Sequence, residues 1–316
     1  MTDLPLDWLL DSDPTLAWQV ERDLADAPAD VWQATRSRIT TDGFAAQLLA
    51  LQDDDGQWAG GAYFPGDFDF HGGESQPWTA TTWSLNFLRD WGLDGAALAG
   101  TAELLAANSR WDYEDLPYWD GEVDVCINGY TLANGAWLGA DVAPLLDWFA
   151  AKQLADGGWN CEWVEGSVVS SFPSTLNALN GLRYYEAATR TSTRELRKPA
   201  AEYLLERGLY RRQSTGEPVG EWVFDFEYPF RWFYSVLHAA DYFRLASQLD
   251  GTAPDPRMAD AIEAIRERRR PDGTWAPSLK HPGRMWFEVD VPAGEPSKWL
   301  TLHAARVLRW WDSGGD

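Results

Sequence analysis

Residues able to do chemistry concentrate in five segments that combine aromatic rings with carboxylates. Three of them, 59–76, 112–126 and 276–296, span 15 to 21 residues, which is long for connections in a compact protein. The other two, 160–172 and 217–229, span 13 residues each. Ring faces and carboxylates both stabilise cations, such as a carbocation or an ammonium group. Paired carboxylates also serve as general acid and base when burial raises the pKa of one of them.

Within these segments a few side chains are the candidates for particular roles. We expect Asp67, Asp69 and Asp124 to act as acids or metal-binding carboxylates, and His71, which is flanked by acids, to act as a general acid. The rings that we expect to form the wall of a substrate cavity are Tyr63, Trp78, Trp119, Trp159 and Trp232.

The two cysteines, Cys126 and Cys161, begin successive repeats and are expected to approach each other. With Asp124 they offer one oxygen and two sulfur ligands, and His238 or water would complete a tetrahedral Zn²⁺ site. A Mg²⁺ ion held by clustered carboxylates is the other metal considered. Without a metal, either thiol would be a candidate nucleophile near a helix N-terminus.

Charge narrows the class of ligand. The formal net charge of −23 argues against nucleic acid and against an anionic membrane surface, since binding phosphates needs Lys and Arg. Basic residues concentrate at 194–198, 207–212 and 266–270, which we predict to lie on outer helices. We therefore expect a hydrophobic small-molecule substrate that is neutral or cationic. A protein partner is left open.

Targeting signals are also missing from the sequence. No apolar run is long enough to span a membrane, the first residues do not form a secretory signal, and two cysteines do not make a disulfide framework. These features together predict a cytoplasmic protein.

The elements that must position these segments are helices, because apolar residues recur with a helical period. A first set of helices is predicted at 43–53, 98–108, 144–154, 196–208 and 258–269. A second set, each following one of the aromatic segments, is predicted at 78–92, 127–139, 173–189, 230–248 and 297–311. The weakly alternating stretches 219–227 and 285–291 are interpreted as loop.

One short motif recurs where a helix of the first set ends. It reads Gln52-Asp-Asp-Asp55-Gly56-Gln-Trp58, Gln153-Leu-Ala-Asp156-Gly157-Gly-Trp159 and Arg269-Arg-Pro-Asp272-Gly273-Thr-Trp275. Gly provides the positive φ that ends the helix, and Trp folds back over that end with an indole N–H that needs a partner. With two degenerate copies, the pattern predicts about five helical hairpins.

We predict an all-α protein in which these hairpins close into a single α/α toroid with inner and outer rings. Residues 1–42 would form a helical lead-in and 43–316 the toroid, all in one structural domain. The last helix, at 299–311, is amphipathic and aromatic rather than a polar cap, which favours closure over an open stack.

The recurring motif resembles the QW repeat of the terpenoid cyclase and protein prenyltransferase superfamily, to which squalene–hopene cyclases belong. The resemblance spans about 40–315 and implies a toroid with its active cavity at the centre. Val123-Asp124-Val-Cys126 is similar to the segment that supplies two zinc ligands in protein prenyltransferases, which implies that Asp124 and Cys126 are ligands. The Asp-x-Asp-Asp proton donor of squalene-type cyclases has no counterpart in this sequence.

The leading hypothesis is therefore an isoprenoid-handling, cyclase-like enzyme whose acid lies outside the usual motif. One alternative is a zinc-dependent transferase or thiol-processing enzyme that uses Asp124, Cys126 and Cys161. The others are a carbohydrate-active toroid and a non-catalytic toroid that binds a partner.

Overall fold

A computed structural model describes residues 4–315, and within that range the chain is all-α. The helices are α1 (Leu6–Leu10), α2 (Pro14–Asp23), α3 (Ala29–Ser37), α4 (Gly43–Leu49), α5 (Thr81–Asp90), α6 (Thr101–Asn108), α7 (Val125–Leu138), α8 (Pro144–Lys152), α9 (Phe172–Thr189), α10 (Arg194–Leu205), α11 (Val236–Asp250), α12 (Ala259–Glu267) and α13 (Lys298–Asp312). Short 3₁₀ turns occur between them. Extended pairing among the described residues is limited to isolated bridges, so neither 219–227 nor 285–291 is a strand. The prediction of loop is confirmed at 285–291, whereas 219–227 includes a 3₁₀ helix at Glu221–Phe224.

Each of the ten helices predicted from periodicity corresponds to an observed one, from α4 to α13. The main differences lie at the helix ends: the helix predicted at 230–248 begins only at Val236, behind the Ser235 cap. Helices α1, α2 and α3 lie within 1–42, where a helical lead-in was predicted without bounds for its individual helices. No helix of the described chain is long and apolar enough to cross a membrane.

The recurring motif acts as a staple between a helix end and the following turn. The indole Nε1 of Trp58 donates to the Leu48 carbonyl at 2.8 Å, Trp159 to Phe149 at 2.9 Å and Trp275 to Ile265 at 2.8 Å. The three motif glycines have φ values of 89°, 95° and 85°, which an L side chain adopts only with strain. The motif therefore has the same structural role in all three copies.

A threonine completes each staple from the next helix. The backbone N–H groups of Trp58, Trp159 and Trp275 donate to Thr81, Thr175 and Thr301 at 3.0–3.1 Å. These threonines lie in the first turns of α5, α9 and α13, so each motif joins the helix before it to the one after it.

The helices that follow the aromatic segments pack in order along the chain: α5 on α7, α7 on α9, α9 on α11, and α11 on α13. Helix α13 packs on α2, and α2 reaches the end of α5, where Trp18 Nε1 donates to the Trp91 carbonyl at 2.9 Å. The order of contacts thus returns to α5. The remaining helices flank this set; α4, α6, α8, α10 and α12 each contact at least one of its members.

Helices α7 and α9 approach most closely, and glycines allow it. A Cβ atom at Gly181 would lie 2.5 Å from the carbonyl oxygen of Gly129 on the facing helix. Glycine is normally unfavourable inside helices, so its presence in both is explained by this contact.

Candidate functional site

A cavity of about 330 Å³ lies among α2, α5, α7, α9, α11 and α13. Like ends of neighbouring helices meet around it. Near the helix N-termini the ring of Trp83 on α5 lies 5.6 Å from that of Tyr130 on α7. Asp241 on α11 contacts His303 on α13 near the middle of those helices. Arg89, Arg183, Arg244 and Arg306 line the cavity from the C-terminal halves of α5, α9, α11 and α13. The cavity therefore has an amino end and a carboxyl half, named after the helix ends that surround them.

Aromatic rings form much of the cavity wall. Trp83 and Tyr130 lie towards the amino end, Tyr228 stacks on Trp299 with ring centroids 4.4 Å apart, and Phe230 stacks on His238 at the same distance. Such faces suit an apolar or cationic group.

The charged residues of the wall are mostly basic. Among the described residues, six arginines and two aspartates line the cavity: Arg22, Arg89, Arg183, Arg231, Arg244, Arg306, Asp90 and Asp241. This composition is the reverse of that of the whole chain, whose net charge is −23. The prediction that basic residues concentrate on outer helices thus missed the arginines on the helices that surround the cavity.

Asp241 is the buried counter-charge of this cavity. Its carboxylate accepts from Arg244 Nε at 2.7 Å and lies 3.1 Å from His303 Nδ1. Burial opposes ionisation of Asp241, but the adjacent Arg244 guanidinium holds its pKa well below the usual range. Arg244 is therefore paired, and Asp241 is already shared between two partners.

Three other arginines of the wall are less well satisfied. The Nε atoms of Arg183, Arg231 and Arg306 are buried and have no hydrogen-bond partner. Arg306 still donates to Gln19 Oε1 at 2.8 Å and pairs with Asp23, whereas Arg183 contacts the ring of Tyr184 at 5.9 Å. Burial lowers the pKa of Arg183 and brings that of Arg306 to about 10; both remain cationic at neutral pH.

His238 in the same cavity is held as the neutral imidazole. Its Nδ1 lies 3.1 Å from the Phe233 carbonyl and its Nε2 lies 3.2 Å from Asn180 Nδ2. Burial lowers the pKa of His238 to about 4. In the tautomer that satisfies both contacts, Nδ1 carries the proton and Nε2 accepts from Asn180.

At the amino end the two cysteines meet as predicted, with their sulfur atoms 3.4 Å apart. Both are free thiols, and the Ser174 hydroxyl lies 3.3 Å from the Cys161 sulfur. Contact with the Cys126 thiol lowers the pKa of Cys161, while the same contact and burial raise that of Cys126. Burial raises the pKa of the neighbouring Asp124.

The side chains around these thiols are not arranged to bind a metal ion. Across residues 4–315 no group of three or more His, Cys, Asp and Glu side chains is arranged to hold one. His238, named above as a fourth ligand, instead packs against Phe230 and Asn180. No step is therefore derived through Zn²⁺ or Mg²⁺.

The acids predicted in the first aromatic segment lie on the surface. Asp67 is exposed and pairs with both terminal nitrogens of Arg284 at 2.8 and 2.9 Å. Asp69 is exposed and accepts from the backbone N–H of His71, which is also exposed. Asp124 is half-buried and is the predicted acid that lies beside the thiols.

The predicted cavity rings divide into two groups. Trp119 and Trp159 are packed in the closed core, where their indole groups donate to the Ala102 and Phe149 carbonyls; neither lines the central cavity, because each closes a turn. Trp78 is also buried, but its ring lies under the Arg231 guanidinium at 3.9 Å.

Trp232 borders a cavity, whereas Tyr63 is half-buried and lines neither that cavity nor the central one. Trp232 lines a second cavity of about 250 Å³ together with Glu227 and His281. The Tyr63 carbonyl accepts from Trp83 Nε1 at 3.1 Å, and burial raises the pKa of the Tyr63 hydroxyl well above its usual value.

A further acid, in the aromatic segment 276–296, was not singled out from the sequence. Asp290 accepts from the Ser297 hydroxyl at 2.8 Å, and burial raises its pKa to about 6. The arginines on α11 and α13 also carried a signal, since Asp241 and Arg244, like His303 and Arg306, are three residues apart on apolar helices. Such spacing places both side chains on one helix face.

Comparisons with known proteins add little to this geometry. No protein-family model matches the chain, and no curated protein matches it. A crystal structure of a protein from Actinoplanes is similar to it, with 17% identity, a TM-score of 0.45, and coverage of 95% of this chain and 90% of that chain. The comparisons assign the chain to no family.

Proposed function

We propose that the chain is an α/α toroid of the terpenoid cyclase and prenyltransferase type that handles an isoprenoid in its central cavity. The observation that carries this proposal is the cavity of about 330 Å³ walled by Trp83, Tyr130, Tyr228, Phe230 and Trp299. The order of helix contacts, which returns from α13 through α2 to α5, supports the closed arrangement.

The wall suits a flexible apolar chain. Burying hydrocarbon against rings stabilises the complex by about 25 cal/mol for each Å² removed from water. The same ring faces stabilise positive charge that develops on a reacting isoprenoid. In this proposal Asp124 and Asp290 are the better acids, since burial raises the pKa of each, whereas the Arg284 pair lowers that of Asp67.

The test uses detergent-solubilised polyprenols of increasing chain length and a variant that fills the cavity. Ala133 lines the cavity from α7 and is buried, so Ala133→Phe is expected to abolish any rise in Tm caused by a polyprenol. Ala150 on α8 is exposed, and Ala150→Phe is the matched control, expected to keep that rise. If no chain length raises the Tm of the unchanged protein, or if both variants respond alike, the isoprenoid proposal is wrong.

A second candidate is a thiol-processing enzyme, and the 3.4 Å contact between Cys126 and Cys161 favours it. Cys161 would supply the nucleophilic sulfur, because its pKa is lowered and the thiolate is the reactive form. The Ser174 hydroxyl beside that sulfur would hold it in place.

A further inference from the structure

The carboxyl half of the central cavity holds positive charge that the rest of the chain does not predict. Arg89, Arg183, Arg244 and Arg306 come from four different helices, α5, α9, α11 and α13, and all line the same cavity. The protein as a whole carries a net charge of −23. An acidic protein that gathers arginines in one enclosed place has an interior that attracts anions, because the cavity walls concentrate their field.

Some of these arginines are explained by partners within the chain. Arg89 donates to Asn134 Oδ1 at 2.5 Å and to Asp90 at 3.1 Å. Arg244 is held by Asp241 at 2.7 Å. These two need no ligand to account for their positions.

Arg183 is different. Among the described residues it makes no hydrogen bond and no ion pair, and its Nε is buried without a partner. Its guanidinium lies 5.9 Å from the Tyr184 ring, and the Asp241 carboxylate favours its charge only through space. Arg306 is 6% exposed, and its Nε is also unpartnered, although its Nη2 contacts Gln19 and Asp23. Buried charged donors without acceptors are costly unless something binds them.

The other groups of the wall are donors, are neutral, or are carboxylates already paired with another arginine. Asn180 and His238 line the same wall, and His238 is already bonded to Asn180 and the Phe233 carbonyl. Asp241 is the buried carboxylate of this wall, and Arg244 and His303 occupy it. The described chain thus leaves Arg183 without an acceptor of its own.

We propose that the carboxyl half of the cavity is a binding site for a small oxyanion, a phosphate or carboxylate group, which Arg183 and Arg306 bind through charge-assisted hydrogen bonds. Guanidinium groups match both anions because their paired N–H donors fit two oxygens at once. The inference deepens the proposed function, on which it rests for the use of this cavity, by giving the cavity's ligand an anionic group.

The experiment measures Tm and binding heat with inorganic phosphate, pyrophosphate and malonate at constant ionic strength. The unchanged protein is expected to bind at least one of them. Arg183→Gln is expected to weaken that binding about tenfold or more, as loss of a charged hydrogen bond typically does. The unliganded Tm of this variant should not fall, because it removes a buried charge that lacks a partner. A merely structural arginine would behave in the opposite way.

Arg38→Gln is the matched control, since Arg38 is exposed and paired with Asp42 at 3.0 Å; it makes the same charge change and should leave anion binding intact. A stronger response to pyrophosphate identifies a phosphate ligand, and a stronger response to malonate identifies a carboxylate. Absence of binding by all three anions overturns the inference, as does equal weakening in both variants. Neither result depends on polyprenol binding, so the isoprenoid proposal stands or fails separately.

Discussion

Two regions of the molecule differ in what they bury. In the segments that precede α7 and α13, burial raises the pKa values of Asp124, Glu122 and Asp290, so these carboxyls are pushed towards their neutral forms. None of these three residues lines the central cavity. Within the cavity, Asp241 is ionised beside Arg244, and the wall carries more arginines than carboxylates.

This difference shows that the net charge of a chain does not predict the charge of its interior. Most of the 49 acidic residues of this protein lie at the surface. A few arginines on the helices around the cavity instead determine the electric field inside it. A ligand is selected by that internal field, since the low dielectric of a cavity strengthens each interaction.

The largest effect is expected from removing the buried counter-charge. Asp241→Asn leaves Arg244 without its anion, and breaking one partner of a buried ion pair costs about 3–5 kcal/mol. Because the pKa of Asp241 is depressed, this contribution is complete at neutral pH and is lost as pH falls below the usual carboxyl value of about 3.9. Urea unfolding at pH 7 measures the loss.

The control for this change is a substitution of Asp67, an acid that is exposed on the surface. Asp67→Asn removes the same charge from a surface pair with Arg284, and exposed pairs contribute little because water and salt screen them. Unfolding of this variant should be unchanged. Equal destabilisation by the two substitutions would mean that the cavity is not the electrostatically sensitive region.

A smaller effect on stability, with the opposite pH dependence, is expected from Asp290 in the segment before α13. The pKa of Asp290 is about 6 in the fold, against 3.8 for the free group, so the folded state binds this proton more tightly than the unfolded state. The protein should therefore lose about 2 kcal/mol of stability through this group as pH rises from 4 to 7. Asp290→Asn keeps an oxygen for Ser297 and should remove that loss.

The measurement is the free energy of unfolding of both proteins between pH 4 and 8. The Asp290→Asn variant should gain stability relative to the unchanged protein as pH rises from 4 through about 6, and the difference should then stay constant up to pH 8. A difference that does not depend on pH would show that Asp290 titrates normally.

The smallest effect concerns the thiols, where rate rather than stability changes. Iodoacetamide should alkylate Cys161 before Cys126, because contact with Cys126 lowers the pKa of Cys161 and thiolates react faster than thiols. Cys126→Ser should slow alkylation of Cys161 several-fold, whereas Cys161→Ser should leave Cys126 poorly reactive. Labelling followed by peptide mass analysis decides the order, and faster reaction of Cys126 would contradict it.

Much of the helical framework was predictable because its causes are local. The apolar period located α4 to α13, and the Gly56, Gly157 and Gly273 turns marked helix ends by their positive φ. The sequence also predicted that the Trp indole would need a partner, and Trp58, Trp159 and Trp275 each find a carbonyl ten residues earlier. The prediction that Trp159 lines a substrate cavity is not supported by its position. Its indole closes the turn onto the Phe149 carbonyl, and the ring is therefore buried in the core.

The approach of Cys126 to Cys161 was predictable from their similar places in successive repeats. The exposure of the acids was not predictable, because no local sequence feature distinguishes the exposed Asp67 from the half-buried Asp124. Both are loop acids beside aromatic residues, and only packing separates them.

By itself, the sequence determined the helical class, the order of the helices and the repeated Trp staple, since these depend on propensity, period and turn chemistry within a few residues. The tertiary structure alone decided the character of the cavity. Gln19, Arg183, Asp241 and Arg306 are far apart in the chain and come together only when α2, α9, α11 and α13 pack. Whether a charge is paired, buried or free depends on such distant neighbours, and a linear pattern does not specify them.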